Sequence, residues 1–211
     1  MSGEWQRHRA NEPAAGAVPY GDRRRTLFAE ATWLGARGRL LRLVGSAFRQ
    51  DAYRNLDLTG FDYTYNVPTL MAHGTVSATK WLSASASERV DAHDRFGTIG
   101  SPRVSLLVHA GHALEARLSA GTGFTAPSAF TEETQAIQLA RLIPPAGLRA
   151  ERGRSASLDL TGRAGSLEVN GTLFGSAIDH ALLLNEAPGD TAGMVALANA
   201  WRPNAHPRRR D

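Results

Sequence analysis

Ser119-Ala-Gly-Thr-Gly-Phe-Thr-Ala-Pro-Ser-Ala-Phe-Thr-Glu-Glu133 begins as alternating chain and then breaks. Successive strand side chains point to opposite faces, so Ser119, Gly121 and Gly123 share one face and Ala120, Thr122 and Phe124 the other. Pro127 cannot donate to a ladder and ends the run, after which Glu132 and Glu133 begin acidic chain. The same period extends upstream. Leu114, Ala116 and Leu118 alternate with Glu115 and Arg117, and before them Val104, Leu106, Val108 and Ala110 alternate with Arg103, Ser105 and His109. Apolar and polar residues in strict alternation are the pattern of half-buried strands.

Period two dominates from Arg24 onward. Residues 24–34, 39–50, 67–79, 82–93, 148–163, 167–184 and 193–200 complete a count of nine strands. Several are far longer than the roughly 5–6 residues usual in soluble domains. Ser83, Ser85, Ser87, Arg89, Asp91 and His93 fall on one face of a strand whose other face is Leu82, Ala84, Ala86, Glu88, Val90 and Ala92. Serines and charges cannot form a dry core without partners, so that face lines a wet interior or meets a polar plug.

The connections alternate in length. Residues 35–38, 80–81, 111–113 and 164–166 are short, whereas 51–66, 94–101, 125–147 and 185–190 are longer. In a meander, successive connections lie at opposite ends of the strands, so the long ones gather at one end. Outer-membrane barrels have this asymmetry, with short periplasmic turns and longer extracellular loops. A soluble sandwich has no reason to sort its loops by end. The expected fold is therefore all-β, an antiparallel up-and-down meander of about nine long strands forming a partial transmembrane β-barrel.

Composition removes other classes. The 211-residue chain carries a formal charge of +4, almost all of its basic side being arginine, with Lys80 the only lysine. The arginine runs Arg23–Arg25 and Arg208–Arg210 sit at opposite ends rather than on one element, which argues against a nucleic-acid surface. Cysteine is absent, excluding disulfides, thiolate zinc sites and thiol nucleophiles. No window approaches the roughly 20 apolar residues of a spanning helix. The N-terminal sequence lacks the apolar core of a secretory signal. Neither observation bears on spanning strands, whose alternation averages out. The domain expectation is a flexible arm over 1–22, a barrel portion over 23–201 and a basic tail over 202–211.

Residues 60–185 resemble the C-terminal part of the β-barrel of a TonB-dependent outer-membrane receptor. Ser101-Pro-Arg-Val-Ser-Leu-Leu-Val108 resembles the family's strand opening with Ser-Pro-Arg, and Gly121-Thr-Gly-Phe-Thr-Ala-Pro-Ser128 its G-x-G-F-x-A-P-S element. Glu151, Ser155 and Asp159 have its E-x-x-x-S-x-x-x-D/E spacing, and Gly171-Thr-Leu-Phe174 with Ile178 matches the next strand. The resemblance implies energy-coupled uptake of a scarce nutrient, such as an iron-siderophore complex, cobalamin or a glycan, across the outer membrane. It implies outer-membrane lipid as a partner, contact with the TonB complex through a plug that precedes the barrel, and no cofactor. Such barrels have about 22 strands, so nine are expected to be a portion of one. Two alternatives stay open: a complete eight-stranded barrel with a structural or adhesive role, and a soluble β-rich binding protein.

Candidate sites are few. No serine occupies a G-x-S-x-G elbow and no triad is singled out, so no enzyme signature is present. Asp91 and His93 share a face and His109 lies near His112, but spacing fixes no third metal ligand, and no metal site is expected. The long connection 125–147 holds Phe130, Glu132, Glu133 and Arg141, the candidates for contact with a small-molecule ligand, because loops of this length are disproportionately functional. Trp33, Trp81 and Trp201 fall near short-turn ends, where either an interfacial girdle or a core would use them.

Overall fold

The computed structural model describes residues 2–10, 20–58, 60–111, 113–128, 141–186 and 194–200. It contains strands β1 (Ser2–Ala10), β2 (Tyr20–Arg37), β3 (Leu40–Asn55), β4 (Tyr63–Ser77), β5 (Leu82–His93), β6 (Gly97–Gly100), β7 (Arg103–Ala110), β8 (Leu114–Thr125), β9 (Glu151–Ala164), β10 (Leu167–Asp179), β11 (Leu182–Glu186) and β12 (Val195–Asn199). Nine strands form one antiparallel wall in the order β1-β2-β3-β4-β5-β7-β8-β9-β10, with β6 paired on the upper part of β5. The wall does not close on itself, because β1 and β10 end the order without pairing to each other. No helix among the described residues is long and apolar enough to cross a membrane, which says nothing of crossing by strands.

Register shows what the alternation builds. Leu40, Val76, Ala84, Leu106, Leu118, Leu158 and Leu173 stand opposite one another in one row across seven strands. One residue along, on the other face, runs Leu41, Thr75, Ser85, Ser105, Ser119, Ser157 and Phe174. The leucine face is open: Leu118 is 52% and Leu173 73% exposed. A contiguous exposed apolar surface of this breadth marks contact with lipid or a partner. The serine face is half-buried by curvature, and its hydroxyls bond across strands, as in Ser119 Oγ to Ser105 Oγ at 3.2 Å.

The turns sort by end as expected. Gly38 and Gly165 make tight left-handed turns (φ 59° and 60°) at one end. The longer connections meet at the other, which we call the rim. Trp33 and Trp81, both exposed, lie at the tight-turn end, which fits a girdle and not a core; Trp201 is outside the described residues.

Several boundaries differ from the sequence expectation, and the strand count of nine is met by a different set. Residues 1–22, expected as a flexible arm, contain β1, paired with β2 from Ser2↔Phe28 to Ala10↔Tyr20. Its polar residues fall on both faces, so no hydropathy period betrays it. The run expected over 167–184 breaks at His180, the one described non-glycine residue with positive φ (59°), and the chain leaves the wall. The last expected strand, β12, pairs with β11 in a separate two-stranded sheet. That hairpin returns over the rim, where Leu142 bridges to Val195. Tyr53, Phe61, Leu142 and Leu197 form a small buried core there, with Leu58, Leu148 and Leu184 against it.

Candidate ligand-facing site at the rim

The connection expected over 51–66 is mostly strand. β3 runs on to Asn55 and β4 starts at Tyr63, so the connection between the two strands shortens to 56–62. Asn55 caps that loop: its Oδ1 accepts from the Asp57 and Leu58 amides at 3.0 and 2.7 Å. Asp57 Oδ2 accepts from the Gly21 amide at 2.6 Å, tying the loop to β2. Extending both strands places Tyr53, Tyr63 and Tyr65 on the inward face, since Tyr53 and Tyr63 stand directly opposite.

Their rings form a ladder. Tyr53 and Tyr63 stack with centroids 5.7 Å apart, and Tyr63 and Tyr65 at 4.5 Å. Tyr65 meets His93 at 4.9 Å and Phe96 at 6.0 Å, and His93 meets Phe96 edge-on at 4.8 Å. A cavity of about 60 Å³ opens beside them, lined by Phe61, Tyr63, Tyr65, Arg95, Phe96 and Pro145 among others. Chain after β8 (Pro127, Ser128) and before β9 (Pro145, Leu148) supplies the facing wall.

Charge of both signs surrounds the ladder: buried Asp22 accepts from the Tyr53 hydroxyl at 3.3 Å, and Asp62 and Arg95 both line the cavity. Arg24 grips Asp51 at 2.9 Å. Arg89 makes a forked contact with Asp91, which is 1% exposed and also accepts from Thr69 Oγ1. Arg49, on the same face of β3, makes no hydrogen bond or ion pair among the described residues, and exposed Arg95 donates only its backbone amide, to His93 Nδ1 at 3.2 Å.

Tyr63, Tyr65 and His93 lie beyond the outward apolar band, which runs over Pro68–Val76 on β4 and the β5 residues that face them, so they titrate in the aqueous rim. Burial, helped by Asp51, pushes the Tyr63 phenol up to about 12, keeping it a neutral donor. Burial likewise raises Tyr65. Burial lowers His93 below its ordinary 6.5 against the pull of Asp94. The site can therefore offer aromatic faces, neutral hydroxyl donors and unpaired guanidinium groups to an anionic aromatic ligand.

Of the residues expected from sequence to contact ligand, Phe130, Glu132 and Glu133 lie outside the described residues. Arg141 is exposed at the rim, beside buried Leu142. Tyr53, Tyr63, Tyr65 and Phe96 were not among the expected contacts. Their signal was Tyr63 and Tyr65 at i and i+2, which share a face once the segment is a strand. Asp91 and His93 do share a face, but the Asp91 carboxylate is committed to Arg89 and Thr69. No group of three metal-ligating side chains occurs among the described residues.

Solved structures share this fold. The siderophore receptor PirA from Pseudomonas aeruginosa superposes with a TM-score of 0.76 at 13% identity, over 86% of this chain and 38% of that one. A mutant of the ferric enterobactin receptor PfeA from the same organism gives 0.72 at 16%, over 89% and 32%. The FrpB iron transporter from Neisseria meningitidis gives 0.66 at 14%, over 86% and 31%. The chain thus spans about a third of the length of these neighbours. No curated protein matches it. A family model described as TonB dependent receptor-like, beta-barrel matches residues 3–205, and with the two-faced wall and the sorted loops it places the chain in that family.

Proposed function

We propose that these residues form part of the wall of an outer-membrane receptor that takes up an iron-siderophore complex, and that the aromatic ladder at the rim contacts the ligand. The carrying observation is the conjunction of stacked Tyr53, Tyr63 and Tyr65 with two arginines whose guanidinium groups make no ion pair among the described residues, Arg49 on the inward face and Arg95 at the cavity. Ferric complexes of aromatic chelators are flat-ringed and anionic, so rings and guanidinium groups recognise them better than they would a neutral glycan. The names of the structural neighbours, siderophore and iron receptors, favour the same ligand over cobalamin. Phe130, Glu132, Glu133 and Arg141 on the connection after β8 are proposed as further contacts. Energy coupling through the TonB complex belongs to the whole receptor, and the chain performs no bond-making chemistry of its own.

The test is fluorescence titration of the folded full chain with a ferric tris-catecholate complex, with cobalamin and a neutral oligosaccharide as comparison ligands. Selective binding of the ferric complex, weakened at least tenfold by Tyr63→Ala/Tyr65→Ala and by Arg49→Gln/Arg95→Gln, is the expected result. Binding indifferent to both pairs of substitutions would show that the ladder is not the contact.

A further inference from the structure

The outward face changes character abruptly near the rim on its β1–β3 side. On β2 the outward residues are Trp33, Ala31, Ala29 and Leu27, and then Arg25 and Arg23; on β3, Val44, Ser46 and Phe48 give way to Gln50, Ala52 and Arg54. Arg23 stands directly opposite Arg54 on one side and in register with Arg7 of β1 on the other, with Arg9 one dyad further out. Like charges directly opposed across strands destabilise a sheet unless something neutralises them. Arg23 and Arg25, both exposed, make no ion pair among the described residues. Arg54 approaches only Asp62, at 3.8 Å, with both side chains largely in solvent. On β9 the outward arginines differ, for Arg154 is matched by Asp179 at 2.9 Å and Arg152 stands directly opposite the same carboxylate residue.

Position identifies the missing anion. With a rise of about 3.3 Å per residue and a tilt of about 40°, Arg25 lies ~5 Å and Arg23 ~10 Å beyond the last apolar row at Leu27. The headgroup layer beyond the hydrocarbon is about 5–8 Å deep on each side, and arginines above it reach back along their stems. We propose that Arg25, Arg23 and Arg54 form a clamp for the phosphates of anionic lipid headgroups in the leaflet at the rim. This rests on the barrel-wall reading above. The bound phosphates supply the counter-charge that these arginines lack among the described residues and fix the height of this side of the wall in the bilayer.

The experiment is urea unfolding of the full chain folded into phosphatidylcholine vesicles, with and without a fraction of phosphatidic acid. Acidic lipid should stabilise the wild-type chain. Arg23→Gln/Arg25→Gln should lose about thirtyfold of that gain in the unfolding equilibrium, from about 1 kcal/mol per arginine at a charged surface. In pure phosphatidylcholine the same variant should be at least as stable as wild type, since it relieves repulsion. Arg103→Gln/Arg117→Gln, which removes equal charge from the inward face, should keep the gain, and Arg23→Lys/Arg25→Lys should keep most of it. An equal gain in Arg23→Gln/Arg25→Gln, an equal loss in the inward pair, or reproduction of the gain by inorganic phosphate would each overturn the clamp. Failure of the wild-type chain to insert into plain phosphatidylcholine would sink the barrel-wall reading itself, whereas insertion without any acidic-lipid gain sinks the clamp alone.

Discussion

Leu118 and Ser119 are consecutive residues whose substitution by arginine should have opposite consequences. Leu118 stands in the leucine row between Leu106 and Leu158, and Ser119 in the serine row between Ser105 and Ser157. Leu118 lies four residues beyond Leu114 at the tight-turn end of β8, about 13 Å along the strand at 3.3 Å per residue. A tilt of about 40° converts this to ~10 Å of height in an apolar band ~25 Å tall, close to its midplane. Arginine on the lipid face at that depth costs about 2–4 kcal/mol. In water the same change at a half-exposed leucine would fall within about 0.5 kcal/mol. At Ser119 the loss is one hydroxyl contact with Ser105, about 1 kcal/mol, on a face that accommodates charge. Urea unfolding of each variant folded into phosphatidylcholine vesicles, followed by tryptophan fluorescence, measures both. Tolerance of Leu118→Arg, or a cost at Ser119 equal to that at Leu118, would refute the assignment of faces.

Three further outcomes follow from the rim and the turns. His93 has its proton affinity lowered by burial, so the unfolded chain binds the proton more tightly: its stabilisation is complete above the ordinary 6.5 and is lost as pH falls from there through the depressed native value. Equilibrium unfolding across that window should show the decline, and His93→Phe should flatten it. Asp91→Ala should cost about 2 kcal/mol rather than the larger penalty of a fully buried pair, because Arg89 is 48% exposed and water can take over its solvation; chemical denaturation beside Arg89→Gln checks this. Gly165→Ala should cost about 1 kcal/mol from backbone strain alone, since its φ is 60° and nothing lies within 4 Å of the added carbon, and Gly165→Asn should cost less in the same unfolding assay.

The wall was legible because its two faces carry opposite polarity on alternate residues. Leu106 beside Ser105 and Leu118 beside Ser119 carry that contrast for the length of a band. Above the band both faces of a strand meet water, and the contrast vanishes. Asp51 to Asn55, Tyr63 to Asn66 and Ser2 to Ala10 are strands held by ladder bonds that sequence polarity does not encode. The site lies in that silent zone, so Tyr63 and Tyr65 were hidden inside what read as a loop. His180 was hidden for another reason. Leu182, Leu183 and Leu184 continue the apolar run, and no glycine or proline marks the left-handed residue that turns the chain away.

The rim core separates the stability of the loops from that of the wall. Ladder bonds hold the wall, while Tyr53, Phe61, Leu142 and Leu197 make the buried aromatic and aliphatic cluster that joins the chain before β9 to the β11–β12 hairpin. Leu142 is 1% exposed and belongs to no wall strand, so its removal subtracts from the cap alone. Truncating a buried leucine to alanine costs about 2–5 kcal/mol through lost transfer energy and the cavity left behind. If the cap opens as its own unit, Leu142→Ala should speed protease cleavage in 141–150 and 194–200 by at least an order of magnitude, while the urea midpoint of the wall in vesicles stays within error. Tyr53 joins the two regions, and Tyr53→Ala should lower both. A fall in the wall midpoint for Leu142→Ala as large as the loss of protease protection would mean that rim and wall unfold together, and the ladder could not then adjust to a ligand without disturbing the barrel.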